Sequence, residues 1–473
     1  MARSIHGVFC CALAGLAIAG FSFVPNANAD TDNIAHTGQV NVAAIPSPGN
    51  AGEVGGTACA PSSFSFDISW IDPFTRAYYL ADRTHGGASN GDILQIDLSN
   101  STHTVTPLTP PSTDPFAGVR CDKNAAFGGS AADGRNELTG PNGVFTANHA
   151  EAWAGDGPSP FTYTQNNTAS DYVNDKCDSS VRVFDLTTGK QTDHINIHGC
   201  FRTDEGAFDP ADQLALFANP SEQPLPGNTH TTALNNSPFI SLISTIPVRP
   251  GDSHKVVKQI NFDGTHGTVS ANGGIEQPVY VEKTGLFYIA VPGNAAAPND
   301  GWISVVDPRG DADDIRVVRN IPTPGCNPHG LAIGPHDELY LGCNSSGVEE
   351  IMDARTGFIK ATLTQVGGGC DEVTYNAGDN QFFGACSTGT PGQFGFDQID
   401  ARHIEVDQAK VPTAPGAHSI AADPVTVTTW IPAFAGAACG AGTACVAIYG
   451  SSGGDDPGVF AQLVTSQNHD DHH

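Results

Sequence analysis

Residues 204–219 read DEGAFDPADQLALFAN. A short strand headed by two acids runs into an Asp-Pro turn, and an apolar strand leads out of it. Asp and Pro make turns for different reasons: the carboxylate accepts backbone N–H groups just downstream, and the pyrrolidine ring presets φ. The apolar run after the turn has the length of a buried strand and is too short for an ordinary helix. The same shape recurs as DISWIDPFTRAYYLADR (67–83), EQPVYVEKTGLFYIAV (276–291), HGLAIGPHDELYLGC (329–343), DEVTYNAGDNQFFGAC (371–386) and HSIAADPVTVTTWIP (418–432). A weaker copy, NGVFTANHAEAWAGD (142–156), brings the number to seven.

Most copies are followed by a third strand ending in a turn, such as VRVFDLTTGK, WISVVDPRG and EEIMDARTG. A fourth comes after it, as in KQTDHINIHG, HKVVKQINFDG and GFIKATLTQV. Seven repeats of four antiparallel strands predict an all-β chain, a seven-bladed β-propeller of four-stranded blades, whose sheet edges are short and protected. The seventh copy has no clear fourth strand of its own. TGQVNVAAIPSPG (37–49) has the required alternation, so an N-terminal strand is expected to close the ring.

The ends read differently. Residues 1–29 carry one Arg before an apolar run and end in the small-residue stretch NANA, which reads as a secretory signal cleaved after Ala29. No later segment is long enough to span a bilayer. The propeller is assigned to 30–460 and a flexible His/Asp-rich tail to 461–473, in a secreted or periplasmic protein. Longer insertions at 122–140, 157–177 and 221–237 are rich in Gly, Ser, Asn and Pro and read as surface loops.

The signal holds one of the 21 basic residues and none of the 50 acidic ones, so the mature charge is about −30. Phosphate backbones demand a basic footprint, which argues against nucleic acid as a partner, and no anionic lipid surface is suited either. Such a charge serves solubility and also favours cationic ligands.

Ten cysteines remain after cleavage: Cys59, Cys121, Cys177, Cys200, Cys326, Cys343, Cys370, Cys386, Cys439 and Cys445. An even number in an exported chain suggests disulfides, and no CxxC zinc spacing is present. Cys439 and Cys445 flank GAGTA, which suits a local hairpin bridge. Cys177–Cys200 and Cys59–Cys121 are plausible pairs. Cys326, Cys343, Cys370 and Cys386 fall at equivalent places in two adjacent repeats, where bridges joining the fifth blade to the sixth would stiffen that part of the ring.

The strands VRVFDLTTGK and WISVVDPRG, with the start AHSIAADP, resemble those of YVTN/YncE-type propellers, and more distantly those of gluconolactonase and lactonase propellers. The resemblance covers nearly all of 37–460. It implies the propeller fold strongly and a function weakly, because propellers host binders, scaffolds and enzymes alike.

In a propeller the first strand of each blade lines the central channel, with its leading residue near one mouth. The seven copies place Asp67, Asn142, Asp204, Glu276, His329, Asp371 and His418 at that position. Hydration alone is a sufficient reason for polar residues there. Carboxylate oxygens and imidazole nitrogens are also the donors that divalent cations accept. Asp67, Asn142, Asp204, Glu205, Glu276 and Asp371 are therefore the candidate ligand-binding residues, and His329, His418, Glu276 and Asp371 the candidate ligands of a divalent metal ion. Arg83, Arg202 and Glu205 stand close enough to modulate this mouth, although Arg202 can equally pair with Asp204 or Glu205 as a structural bridge.

His149, with Glu151 and Asp156, is a weaker channel candidate. His194 and His198 read as surface residues of an outer strand, His336 as part of a turn, and the tail histidines as a loose metal-binding sequence. The lactonase resemblance implies a catalytic metal held by Glu, Asn and Asp side chains. Glu276 before QPVY resembles the EGP start of such enzymes, and Asn142 or Asn327 would supply an amide oxygen, while His329 and His418 stand outside that pattern.

The leading expectation is an exported propeller that binds a small molecule or metal at the polar channel mouth. As an enzyme the chain would be a metal-dependent hydrolase of lactonase type, with Asp204, Glu205 or Asp371 as general base. As a scaffold it would hold another exported protein. A copper redox centre using His329 and His418 is a further possibility, without the paired His or Cys/Met motifs that would strengthen it.

Overall fold

The computed structural model describes residues 34–42, 66–83, 91–118, 140–158, 178–199, 201–220, 237–249, 251–271, 273–293, 297–344, 347–364, 366, 369–386, 395–413, 417–433, 439 and 444–451. The expected signal and tail, most of the three insertions, and Cys59, Cys121, Cys177 and Cys200 lie outside them.

The described strands form seven four-stranded antiparallel sheets, six of them built from strands consecutive in sequence. The inner strands of blades one to seven are Phe66–Asp72, Val144–Ala147, Gly206–Asp209, Pro278–Val281, Pro328–Ile333, Cys370–Asn376 and Ala421–Asp423. The turns work as their residue types dictate. Asp72 Oδ1 accepts the N–H groups of Phe74 and Thr75, and Asp209 Oδ1 those of Ala211 and Asp212. The later Asp-rich turns repeat the device: Asp185 caps Thr188, and Asp353 caps Thr356 ahead of Gly357 at φ +75°. A positive φ costs glycine nothing, so the chain reverses there without strain.

The core is divided among the gaps between blades. Seven clusters of buried apolar side chains are present, and each is shared by two neighbouring sheets. Tyr78, Leu80 and Ile96 of blade one, for example, pack on Trp430 and Val446 of blade seven. Buried tyrosines tie adjacent blades together by their hydroxyls. Tyr288 donates to the carbonyl of Ala354 at 2.9 Å, Tyr340 to Asp397 at 2.9 Å, and Tyr449 to the carbonyl of Pro412 at 3.2 Å. Such groups are buried at little cost because the polar tip finds an acceptor.

The ring closes as the alternation of the N-terminal segment predicts. Ile34–Asn41 pairs antiparallel with Cys445–Ser451, Val40 opposite Val446 and Asn41 opposite Cys445, and becomes the outer strand of blade seven. Arg76 of blade one adds a bidentate bridge to Asp423 of blade seven, at 2.6 and 2.9 Å.

Three disulfides occur among the described residues: Cys326–Cys343, Cys370–Cys386 and the expected Cys439–Cys445. The first two lie inside blades five and six and do not join them, which corrects the inter-blade possibility. Register is the reason: Cys370 lies directly opposite Cys386, and Cys343 opposite Pro328 in the strand that Cys326 precedes. The bridges fit an oxidising compartment. Among the described residues no helix is long and apolar enough to cross a membrane.

Closure by Ile34–Asn41 is testable. Ile34, Val40 and Val42 are buried, so deleting residues 30–42 is expected to cost on the order of 5 kcal/mol. It also bares the edge of Cys445–Ser451, which invites self-association. Urea denaturation with size-exclusion chromatography checks both, and an unchanged midpoint with a monomeric profile would contradict the closure.

Candidate ligand site in the central channel

All seven inner strands converge on one axis, and the aligned leading residues come together at one end of it. His418 Nε2 lies 3.6 Å from Asp67 Oδ1. Asp67 is paired with Arg83, which also donates to Asn142 Oδ1 at 2.7 Å. Asn142 in turn donates to the carbonyl of Thr203 at 2.7 Å, and Arg202 clasps Asp204 at 2.6–2.7 Å. On the far side of the ring His329 Nδ1 stands 3.3 Å from Asp371 Oδ1 and 3.9 Å from Glu276 Oε1. His418 also stacks on Phe66, their ring centroids 4.7 Å apart and nearly parallel.

One residue further along the strands lie Glu205 and Glu372, both buried. Backbones approach closely here: a Cβ on Gly143 would sit 2.4 Å from the carbonyl oxygen of Asp204, so blade two can pack on blade three only without a side chain at that position.

The charges are not balanced. Asp67, Asp204, Glu205, Glu276, Asp371 and Glu372 are gathered around two guanidinium groups and two imidazoles. Burial pushes Asp67 up, but Arg83, His418 and Arg202 outweigh it and hold the carboxyl far below its usual range. At Asp371 burial is likewise outweighed, chiefly by His329, and the carboxyl is lowered. Asp204, Glu205 and Glu372 go the opposite way. Burial, with the charge of Asp67 added, pushes Asp204 up to about 7 despite Arg202. Glu205 is held well above the usual range by burial and then by Asp204, Glu372, Glu276 and Asp371. Glu372 is raised by burial and by Asp67 and Asp371, against the bonds from Ser419 and Ile420. Asp204 Oδ1, Glu205 Oε2 and Glu372 Oε1 are buried with no hydrogen-bond partner among the described residues. Such oxygens are costly to desolvate, a cost that proton uptake or a bound cation relieves.

Beyond Glu205 the channel opens into a well of about 660 Å³, facing away from the ring. Its floor includes Glu205 and Gln277, and residues from all seven inner strands make its wall. The wall is mostly apolar, with Phe145, Phe208, Ile333 and Tyr375 among its members. Trp70 is 42% exposed and, like His149, lines the well, while His149 packs on Phe74, which is 53% exposed.

The remaining sequence candidates fall as follows. His149 lines the well, but at the turn end of the strands, where its Nδ1 is 3.0 Å from Asp72. Glu151 and Asp156 do not join it: Glu151 accepts from Trp153, and Asp156 accepts from Arg182 and Ala117. Their positions on the second strand carry them away from the axis. Arg202 takes the Asp204 pairing. Neither expected amide oxygen is free, since Asn142 Oδ1 accepts from Arg83 and Asn327 Oδ1 from Gly293 N–H at 2.6 Å. His194 is exposed on its outer strand, as expected of a surface residue, and contacts Asp114 and Ser180. His336 sits in the turn at Pro335–Asp337.

A second cluster escapes sequence reading. Donor atoms of Glu349, Cys370, Cys386 and Asp397 lie within 4.8 Å of one another, all four residues buried. Glu349 and Asp397 come from the third strands of blades five and six, whose patterns EEIMD and GFDQID give no hint of a meeting. This donor set can hold a soft metal ion when the cysteines are thiolates; joined as a disulfide, the sulfurs are not thiolates.

Burial pushes Asp397 up to about 7, and burial with the Asp397 charge raises Glu349 well above its usual range. A carboxyl that keeps its proton in the fold and loses it on unfolding lowers stability as pH rises from its unfolded to its folded value. Asp397→Asn preserves the acceptor for Tyr340 and Gly384. The variant is expected to gain stability over wild type between about pH 5 and about pH 8, by on the order of 1–3 kcal/mol. Denaturation at the two pH values measures it, and a pH-independent difference would show that Asp397 is ionised in the fold.

No family model matches the chain, and no curated protein is found that matches it. The seven-bladed fold agrees with the propeller resemblance, and the YVTN/YncE type rests on the strand sequences alone.

Proposed function

We propose that this chain is an exported binding propeller that takes a small molecule in its central channel. The well carries the reading: about 660 Å³, mostly apolar in its wall, with a few polar groups, among them Glu205 and Gln277 at the floor and Asp72 and His149 at the turn end. That combination and size are those of pockets that enclose small molecules. Seven rigid strands build it, so it needs no ordering before a ligand enters, and the preorganisation favours affinity.

Ala422 lines the well and is partly exposed, so Ala422→Trp fills space without cutting into a core cluster. Thermal unfolding with a panel of small amines, alcohols, carboxylates, lactones and sugars tests the reading. A ligand held a hundredfold above its Kd is expected to stabilise wild type by about 2.7 kcal/mol and to leave Ala422→Trp unmoved. Equal stabilisation of both proteins, or none of wild type by any compound, would overturn it.

A second reading is favoured by one contact set. His329 Nδ1 stands between carboxylate oxygens of Asp371 and Glu276, and the charge of His418 reaches Asp371. A divalent metal ion held there would draw on Glu276, His329 and Asp371, with His418 beside them. Ligand atoms at about 2.1 Å from a metal lie roughly 3–3.5 Å apart, near the observed His329–Asp371 spacing. The purified protein is expected to bind one Zn²⁺ or Mn²⁺ by calorimetry, with affinity falling at least tenfold in His329→Ala. Binding unchanged in that variant would remove the reading.

A further inference from the structure

The floor and the wall of the well ask for different chemistry in one molecule. Glu205 is 5% exposed, and its Oε2 has no hydrogen-bond partner among the described residues. Asp72, the other acid that lines the well, is fully engaged: it accepts from Phe74, Thr75 and Thr146 and contacts His149. Gln277 at the floor uses its side-chain oxygen on the N–H of Leu331 at 2.8 Å. The well therefore offers one underused carboxyl at its base beneath an apolar wall.

That arrangement selects among ligand classes. An anion would meet Glu205 and, behind it, Asp204, Glu276, Asp371 and Glu372, whose charges all act on Glu205. A divalent ion wants several hard oxygens and gains nothing from aromatic walls. A wholly apolar molecule would bury the carboxyl further without giving it a donor. A protonated amine supplies one positive charge, which favours release of the Glu205 proton to solvent, and N–H donors for the resulting carboxylate, and its hydrocarbon body fills the rest. Trp70, Phe145, Tyr280 and Tyr375 are among the lining residues, and aromatic rings attract a cation. The surplus of acidic residues over the whole chain draws such a cation in from solution.

We propose that the well binds a small molecule with an apolar, preferably aromatic, body and a single protonated amine, the amine seated against Glu205 and the body against the inner strands. This rests on the reading of the channel as a small-molecule site and names the class of ligand it takes.

Three probes with one body decide it: 2-(2-naphthyl)ethylamine, 2-(2-naphthyl)ethanol and 2-naphthylacetate, titrated by calorimetry into wild type, Glu205→Gln and Ala422→Trp. The amine is expected to bind wild type at least tenfold more tightly than the alcohol, with the carboxylate weakest. Glu205→Gln is expected to weaken the amine at least tenfold and change the alcohol less than threefold, and Ala422→Trp to abolish binding of both. If alcohol and amine bind equally, or Glu205→Gln leaves the amine unchanged, the amine assignment falls. The channel reading survives that outcome provided Ala422→Trp still blocks binding. If no probe binds wild type, the amine proposal falls, and the broader panel above then decides the channel reading separately. Should Glu205→Gln fail to fold, a crystal of wild type with the 6-bromo amine replaces it. Nitrogen within hydrogen-bond distance of the Glu205 carboxyl supports the proposal, and nitrogen anywhere else overturns it.

Discussion

Everything in this structure depends on the ring being closed. Each cluster of the core is shared by two neighbouring blades, so a propeller open at one seam would leave two apolar faces in water. Closure is held by three different interactions, one within blade seven and two across its seam with blade one. Backbone pairing joins Ile34–Asn41 to Cys445–Ser451, Arg76 bridges to Asp423, and Trp430 packs on Tyr78 and Leu80. The pairing spans most of the chain's length in sequence, so it closes a far longer loop than the hairpins within the other blades.

Closure also creates the electrostatic character of the axis. Seven strands each deliver a leading residue to the same small volume, and no single strand has to carry an unusual sequence for this to happen. Arg83 and Arg202 neutralise the side of the ring at blades one to three, and His329 sits within the side at blades four to six. Glu205 and Glu372 lie a residue deeper, where water is scarce, and burial raises both carboxyls well above the range of a free carboxylate. Glu205 therefore stands between the polar end and the apolar well, lining the second while the charges of the first act on it.

Much of the architecture was legible in the residues. Asp72, Asp209 and Asp353 announce their turns because a short carboxylate caps nearby N–H groups, which is a local matter. The alternation of 37–49 announced a strand, and the shortage of one strand in the last repeat said where it would go. Aligning the repeats brought Asp67 to His418 and His329 to Asp371, since equivalent positions in a closed ring must meet. The well at the opposite end was not legible. Its wall residues, such as Phe145, Phe208 and Tyr375, look in sequence like any core-facing strand residue. Only the spacing of the inner strands turns them toward an open axis.

The same division runs through the finer details. Periodicity, turn chemistry and the count of strands determined by themselves that this is a seven-bladed ring with an N-terminal closing strand, because each depends on neighbours within a few residues or on a repeat. Tertiary structure decided the rest. It kept Cys326–Cys343 and Cys370–Cys386 inside their blades, brought Glu349 to Asp397 from different sheets, and sent Glu151 away from the axis while leaving Glu205 on it. These outcomes turn on distances across sheets and on the desolvation of particular carboxyl groups, and neither quantity is a property of any short stretch of chain.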